Sequence, residues 1–207
     1  MNLLTRKEDI DYSGVTVHIP WVMNTLGIKG AIEVVYLAEI RDAFRVQQMQ
    51  SKAWLLSQVE QFDRTSKILV IGSWLGFTSY CLYKLGFTYI SETDPESRFA
   101  VLANNINREN PNFQHFSQDV NNLDVSSYDL IINTSCEHIG NNTWFKNIKP
   151  DCQVVLHSTN MKWHDHVNTV ENLEEMKSKY PMNLTYAGQL DFGGSSRFML
   201  VGTAHEL

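Results

Sequence analysis

The sequence predicts an α/β protein built on one open, mostly parallel sheet of seven strands, with a C-terminal antiparallel hairpin and an N-terminal helical extension. Three observations predict it. The apolar run Ile68-Leu69-Val70-Ile71 leads into a turn bracketed by Gly72 and Gly76. From there to residue 157, strand-like runs alternate with helix-like stretches, the pattern of βα units around a parallel sheet. Finally, two strand-like runs near the C-terminus are joined only by Asp191-Phe192-Gly193-Gly194-Ser195, and so short a connection makes them antiparallel.

In chain order, residues 1–30 show no periodicity. They read as an arm that either hugs the surface or forms a flap over a site. From Ile32 to Phe62 apolar residues recur at helical spacing, predicting one long helix or two with a break near Gln47-Gln48. Residues 1–62 are thus an arm and helical extension of the same domain, and 63–207 are its α/β body. Within the extension Arg45, Gln48 and Lys52 share one helical face. That strip is either solvated or turned toward a substrate carboxylate.

Ile68–Ile71 is short and β-branched, as a strand buried on both faces requires. A helix follows from about Thr78 to Leu85, then a strand from Thr88 to Ser91 that ends at Glu92, twenty residues after Gly72. This is the layout of a nucleoside-binding βαβ unit: glycines let the backbone approach the ligand, and a terminal acid accepts hydrogen bonds from ribose. The turn Gly72-Ser73-Trp74-Leu75-Gly76 lacks the close glycine triplet that cradles a pyrophosphate and the lysine of a triphosphate loop. It suits a nucleoside without a phosphate chain, of which S-adenosylmethionine (SAM) is the common case.

Asp94-Pro95 opens a helix running to about Arg108, with Phe99, Leu102, Ala103 and Ile106 as its buried stripe. Phe113–Phe116, Tyr128–Asn133 and Gln153–His157 are the next strands, with a helix at Asn142–Asn147 between the last two. After a loop carrying Trp163, His164 and His166, a helix spans about Val170–Lys179, and the final strands are Leu184–Gln189 and Arg197–Gly202.

Bulk properties narrow the function. At 207 residues, 43% hydrophobic and 19% charged, the chain is an ordinary single globular domain. A net charge of −6 argues against a broad phosphate-binding surface. No apolar run is long enough to cross a membrane, the opening residues do not have the layout of a signal peptide, and the three cysteines lack metal-ligand spacing. Reduced thiols and a cytoplasmic location are expected; the oligomeric state stays open.

The chain resembles the class I SAM-dependent methyltransferases over residues 67–202. Val70-Ile71-Gly72-Ser73-Trp74-Leu75-Gly76 stands at the first motif of that family, Glu92-Thr93-Asp94-Pro95-Glu96 at the second, Ser117-Gln118-Asp119 at the third and Asp129–Asn133 at the fourth. The resemblance implies a Rossmann-like fold and SAM as cofactor. Glu92 with Thr93 would hold the ribose, Asp119 with Val120 the adenine, and Gly72, Ser73, Trp74 and Gly76 the amino-acid portion, with Asn133 leading to the transfer site. The bulky Trp74 departs from the usual small residue; it either shapes the cavity or packs on the N-terminal helices.

At the fourth strand's tip, Glu137-His138 carries two groups able to take a proton from a hydroxyl or amine. The tip lacks the Pro-Pro-aromatic sequence of enzymes that methylate DNA amines. His157, His164 and His166 invite a metal reading, but no well-spaced carboxylates accompany them and no metal is expected. The expected activity is methyl transfer to nitrogen or oxygen of a small polar molecule. The alternatives are another SAM-consuming reaction that releases methylthioadenosine, and a non-catalytic binding subunit.

Overall fold

Ile68–Ile71 form strand β1, and all four side chains are buried because the strand has parallel partners on both sides and apolar layers on both faces. The computed structural model describes residues 34–204; the arm expected over residues 1–30 lies outside them. Strands β2 (Ile90–Thr93), β3 (Gln114–Phe116), β4 (Leu130–Asn133), β5 (Gln153–Thr159), β6 (Asn183–Asp191) and β7 (Ser196–Thr203) complete the sheet. Its order is β3-β2-β1-β4-β5-β7-β6. Strands β1 to β5 pair in parallel, while β7 is inserted antiparallel between β5 and β6.

The helices are α1 (Val34–Ala43), α2 (Val46–Val59), α3 (Phe77–Lys84), α4 (Ala100–Ile106), α5 (Thr143–Lys146) and α6 (Leu173–Lys179). Ile40, Leu55, Val59, Leu82 and Leu102 from the first four pack on Val70, Ile132, Val155 and Met199 of one sheet face. Trp144, Phe145, Met176 and Tyr180 cover Leu69, Ile131, Leu156 and Leu200 on the other. Two-sided coverage is why the central strands read as unbroken apolar runs. Among the described residues no helix is long and apolar enough to cross a membrane.

Several boundaries differ from the sequence reading. The N-terminal helices part at Phe44–Arg45 rather than near Gln47-Gln48: Arg45 is extended (φ −60°, ψ 152°) and its guanidinium is held by Asp42 at 2.8 Å. After Pro95 a short 3-10 turn, Ser97–Phe99, precedes α4. Strand β2 runs two residues further than expected, so Glu92 lies within it, opposite Val70 and His115, instead of at its tip.

Gly76 is left-handed (φ 76°) at the start of α3, and a Cβ there would lie 2.9 Å from the Ala103 Cα of α4. Gly193 in the hairpin turn has a similar φ of 71° but open space around it. Gly193→Ala is therefore expected to cost about 1–2 kcal/mol, the left-handed penalty alone. Gly76→Ala should cost about 1–3 kcal/mol beyond that from overpacking. Urea unfolding midpoints of the two variants check the difference.

Candidate active site at the carboxyl edge of the sheet

The strand order reverses at β1, whose neighbours β2 and β4 lead to opposite halves of the sheet. Open α/β sheets bind ligands in the crevice beyond the carboxyl ends at such a point. Here the loops are tied tightly together. Gly72 N–H donates to Thr93 O at 3.0 Å, and Thr134 Oγ1 donates to Gly72 O at 2.9 Å. Gly72 is left-handed (φ 67°), and a Cβ on it would come within 2.6 Å of the Ser135 side chain. Asn133 Oδ1 accepts from Ser135 N–H at 2.9 Å. Two buried groups at this edge, Ser73 Oγ in the glycine turn and Asn133 Nδ2 at the end of β4, have no hydrogen-bond partner among the described residues. Buried polar groups are normally paired, so these two are candidates for a ligand contact.

The acids behave differently from one another. Glu92 is wholly buried, and both carboxylate oxygens are engaged: Ser79 O–H donates to Oε2 at 2.5 Å and His115 Nδ1 lies 2.9 Å from Oε1. Each oxygen can still accept a further bond, but with the residue wholly buried a ribose could reach it only if the side chains around it moved. Asp94, two residues on, stands at the strand's edge and accepts N–H bonds from Trp74 and Glu96, each at 3.0 Å. Burial pushes its carboxyl above the usual range against the pull of those donors. Thr93 is buried and donates through Oγ1 to Gln118 O at 2.6 Å, fastening the β2 edge to the loop that carries Asp119. Asp119 is exposed and caps the turn Val120–Asn122, accepting from Asn121 N–H at 2.8 Å, while Val120 is buried.

Trp74 is held in a left-handed conformation (φ 51°) that is unusual for a bulky residue. Its indole N–H donates to Glu39 Oε2 on α1 at 3.0 Å, and the ring packs against the first apolar layer. Of the two sequence readings, packing on the N-terminal helices is therefore realised.

Beyond β4, Glu137 is buried and its Oε1 meets Arg197 Nη1 at 2.6 Å, whereas Oε2 has no partner among the described residues. His138 is exposed, with Nδ1 3.2 Å from Asp165 O and its ring edge-on to His166 at 4.7 Å. The three histidines weighed together from sequence are not together: His157 is buried under α2, His164 is exposed, and His166 sits beside His138.

Sequence reasoning missed a cationic wall on the α2 side. Ser51 Oγ lies 3.2 Å from His157 Nδ1, Trp54 stacks on the imidazole at 5.4 Å, and Trp54 Nε1 donates to Tyr186 O–H at 3.1 Å. Burial, then the charges of Arg197 and Lys52, hold the His157 imidazole well below its ordinary pKa, so it is neutral. The Lys52 amine is lowered to about 8, first by burial and then by Arg197. Of the polar strip predicted on this helix, Lys52 and Gln48 meet each other at 3.4 Å, whereas Arg45 is exposed and turns to Asp42.

No protein-family model and no curated protein matches the chain. Solved structures do. Magnesium protoporphyrin IX methyltransferase from Synechocystis, with bound SAM, aligns over 99% of this chain and 100% of its own at 12% identity and a TM-score of 0.59. The 1,6-didemethyltoxoflavin N1-methyltransferase of Burkholderia thailandensis covers 86% and 93% of the respective chains at 13% identity and TM-score 0.59. The N-methyltransferase NodS of Bradyrhizobium japonicum covers 75% and 94% at 13% identity and TM-score 0.58. The chain has the class I SAM-dependent methyltransferase fold.

Within that fold two side-chain networks can be tested directly. His115→Phe leaves the Glu92 carboxylate, wholly buried, one donor short. The expected loss is about 2–4 kcal/mol of stability, measured by equilibrium unfolding; an unchanged midpoint would show that the His115–Glu92 bond is not formed.

Lys52→Met tests the wall. The folded amine titrates near 8 and the unfolded one near 10.5, so between those values the unfolded chain binds more protons and the wild type gains stability as pH rises. Arg197 opposes the charge, while Asp42 and Cys81 favour it more weakly. The variant should be the more stable protein at pH 7, and its advantage should shrink as pH rises through 8. Melting temperatures across that range decide it.

Proposed function

We propose that the protein is a SAM-dependent methyltransferase that acts on nitrogen or oxygen of a small polar acceptor. The observation that carries this reading is a pair of buried groups, Ser73 Oγ and Asn133 Nδ2, without hydrogen-bond partners among the described residues, at the point where strand order reverses. They fit a cofactor with a polar amino-acid end. SAM when bound supplies an activated methyl group, so the protein's task is alignment and removal of a proton. Gly72 and Gly76 admit the ligand beside Ser73, and Trp74 closes the turn toward α1. Glu92 and Thr93 serve the ribose, with Ser79 or His115 giving way, and Asp119 and Val120 flank the adenine. Asn133 aligns the reacting groups, and Glu137-His138 receives the acceptor's proton. Lys52 and Arg197 favour an acceptor that carries a negative group. The net charge of −6 disfavours nucleic acid.

Trp74 supports a second reading. Its N–H is already taken by Asp94 and its indole by Glu39, so the turn differs from an open glycine loop. That keeps reactions at another carbon of the sulfonium in view, with release of methylthioadenosine.

Incubation with SAM alone, followed by calorimetry and mass spectrometry, separates these. Binding with SAM intact supports the transferase, methylthioadenosine without acceptor supports the second reading, and absence of binding and products overturns both in favour of a non-catalytic subunit. Ser73 Oγ has no partner among the described residues; Ser73→Ala should therefore keep the wild-type melting temperature while weakening SAM roughly two- to tenfold.

A further inference from the structure

We propose that Glu137, His138 and His166 form a binding site for a divalent first-row transition metal at the tip of β4. One ligand atom from each of the three lies within 4.8 Å of the others. Ligand atoms about 2.1 Å from a tetrahedral ion are about 3.4 Å apart, so closing the site takes only side-chain adjustment.

The imidazoles are set up for this. His166 Nδ1 is 2.6 Å from Met161 O, and His138 Nδ1 is 3.2 Å from Asp165 O. A carbonyl only accepts, so Nδ1 carries the proton in each ring and the lone pair of the neutral imidazole is on Nε2. Metal-binding histidines are oriented in this way, through the nitrogen that does not bind the ion. Asp165 Oδ2, 3.4 Å from His138 Nδ1, adds a second acceptor.

The independent observation is Glu137. The residue is 2% exposed, Arg197 holds Oε1, and Oε2 is buried with no partner among the described residues. A carboxylate oxygen left bare in the interior is costly, and a cation shared by the Glu137 carboxylate and the two imidazoles would offset that cost. The loop that brings His166 is pinned to the same turn: Asn168 N–H donates to Glu137 O at 2.9 Å and Asn168 Nδ2 to Cys136 O at 3.4 Å.

Two nitrogens and one carboxylate select zinc, iron, cobalt or manganese over calcium and magnesium, which take oxygen ligands. Three protein ligands leave a position open for a water or a substrate atom. On the methyltransferase reading, that position would hold the acceptor hydroxyl or amine and lower its pKa. Glu137 and His138 would then act through the ion rather than as a free base.

Chelator-treated protein, free of SAM, is titrated with zinc by calorimetry and with cobalt by visible absorption. The expected result is one ion per chain, with cobalt bands of a nitrogen–oxygen site, and a loss of affinity of more than ~100-fold in His138→Ala and His166→Ala. His138 is exposed and His166 half-buried, so both variants should keep the wild-type circular dichroism. His164→Ala should bind as the wild type does. Absence of stoichiometric binding, or binding indifferent to both variants, overturns the site. SAM calorimetry on the same samples keeps the two readings apart: failure of metal binding with SAM affinity intact overturns only the metal, and the reverse overturns only the enzyme.

Discussion

Because β1 is buried on both faces, polar chemistry can be placed only at its ends. Its parallel partners β2 and β4 fix where those ends open, and the reversal of strand order sends the two connecting chains to opposite sides. Everything functional in the reading follows from that geometry. The Gly72 turn, the Asn133–His138 segment and the Asp94 edge converge because three strands end together, and their loops are stitched by backbone and hydroxyl bonds across the gap.

The buried polar groups differ in how fully they are paired. Both oxygens of Glu92 have partners, Ser79 and His115, and the set joins α3, β2 and β3, while His115 Nε2 is buried without a partner among the described residues. Among the described residues Ser73, Asn133, His157 and Glu137, on strands or loops near the carboxyl edge, each have a buried atom unpaired, as do Asn107, Asn110, His115, Trp144 and Ser158. A fully paired network helps to specify a fold, whereas an unpaired buried group lowers stability unless a ligand or water completes it. Lys52, half-buried and bonded to Gln48, keeps its amine beside Arg197 against the preference of the interior.

Trp74 links the helical extension to this edge. Its left-handed backbone is anchored by Asp94 and its indole by Glu39 on α1. Arg98 from the β2–α4 connection also reaches Glu39, at 3.3 Å. The extension is therefore tied to the body of the domain at Glu39.

Strand positions, the glycine turn, the antiparallel hairpin and the fold class were legible in the sequence, because apolar periodicity and turn chemistry are local. The run Ile68–Ile71 can be little other than a central strand. Tertiary structure alone decided what the polar residues do. Glu92 looked like a strand-tip acid, but the pairing of β2 with β3 put His115 against it. Ser51 meets His157 across 106 residues, and Glu137 meets Arg197 across 60. His166, not its sequence neighbour His164, joins Glu137-His138. The pairing of side chains far apart in the chain follows from the order of strands and the path of loops, and no local pattern encodes it.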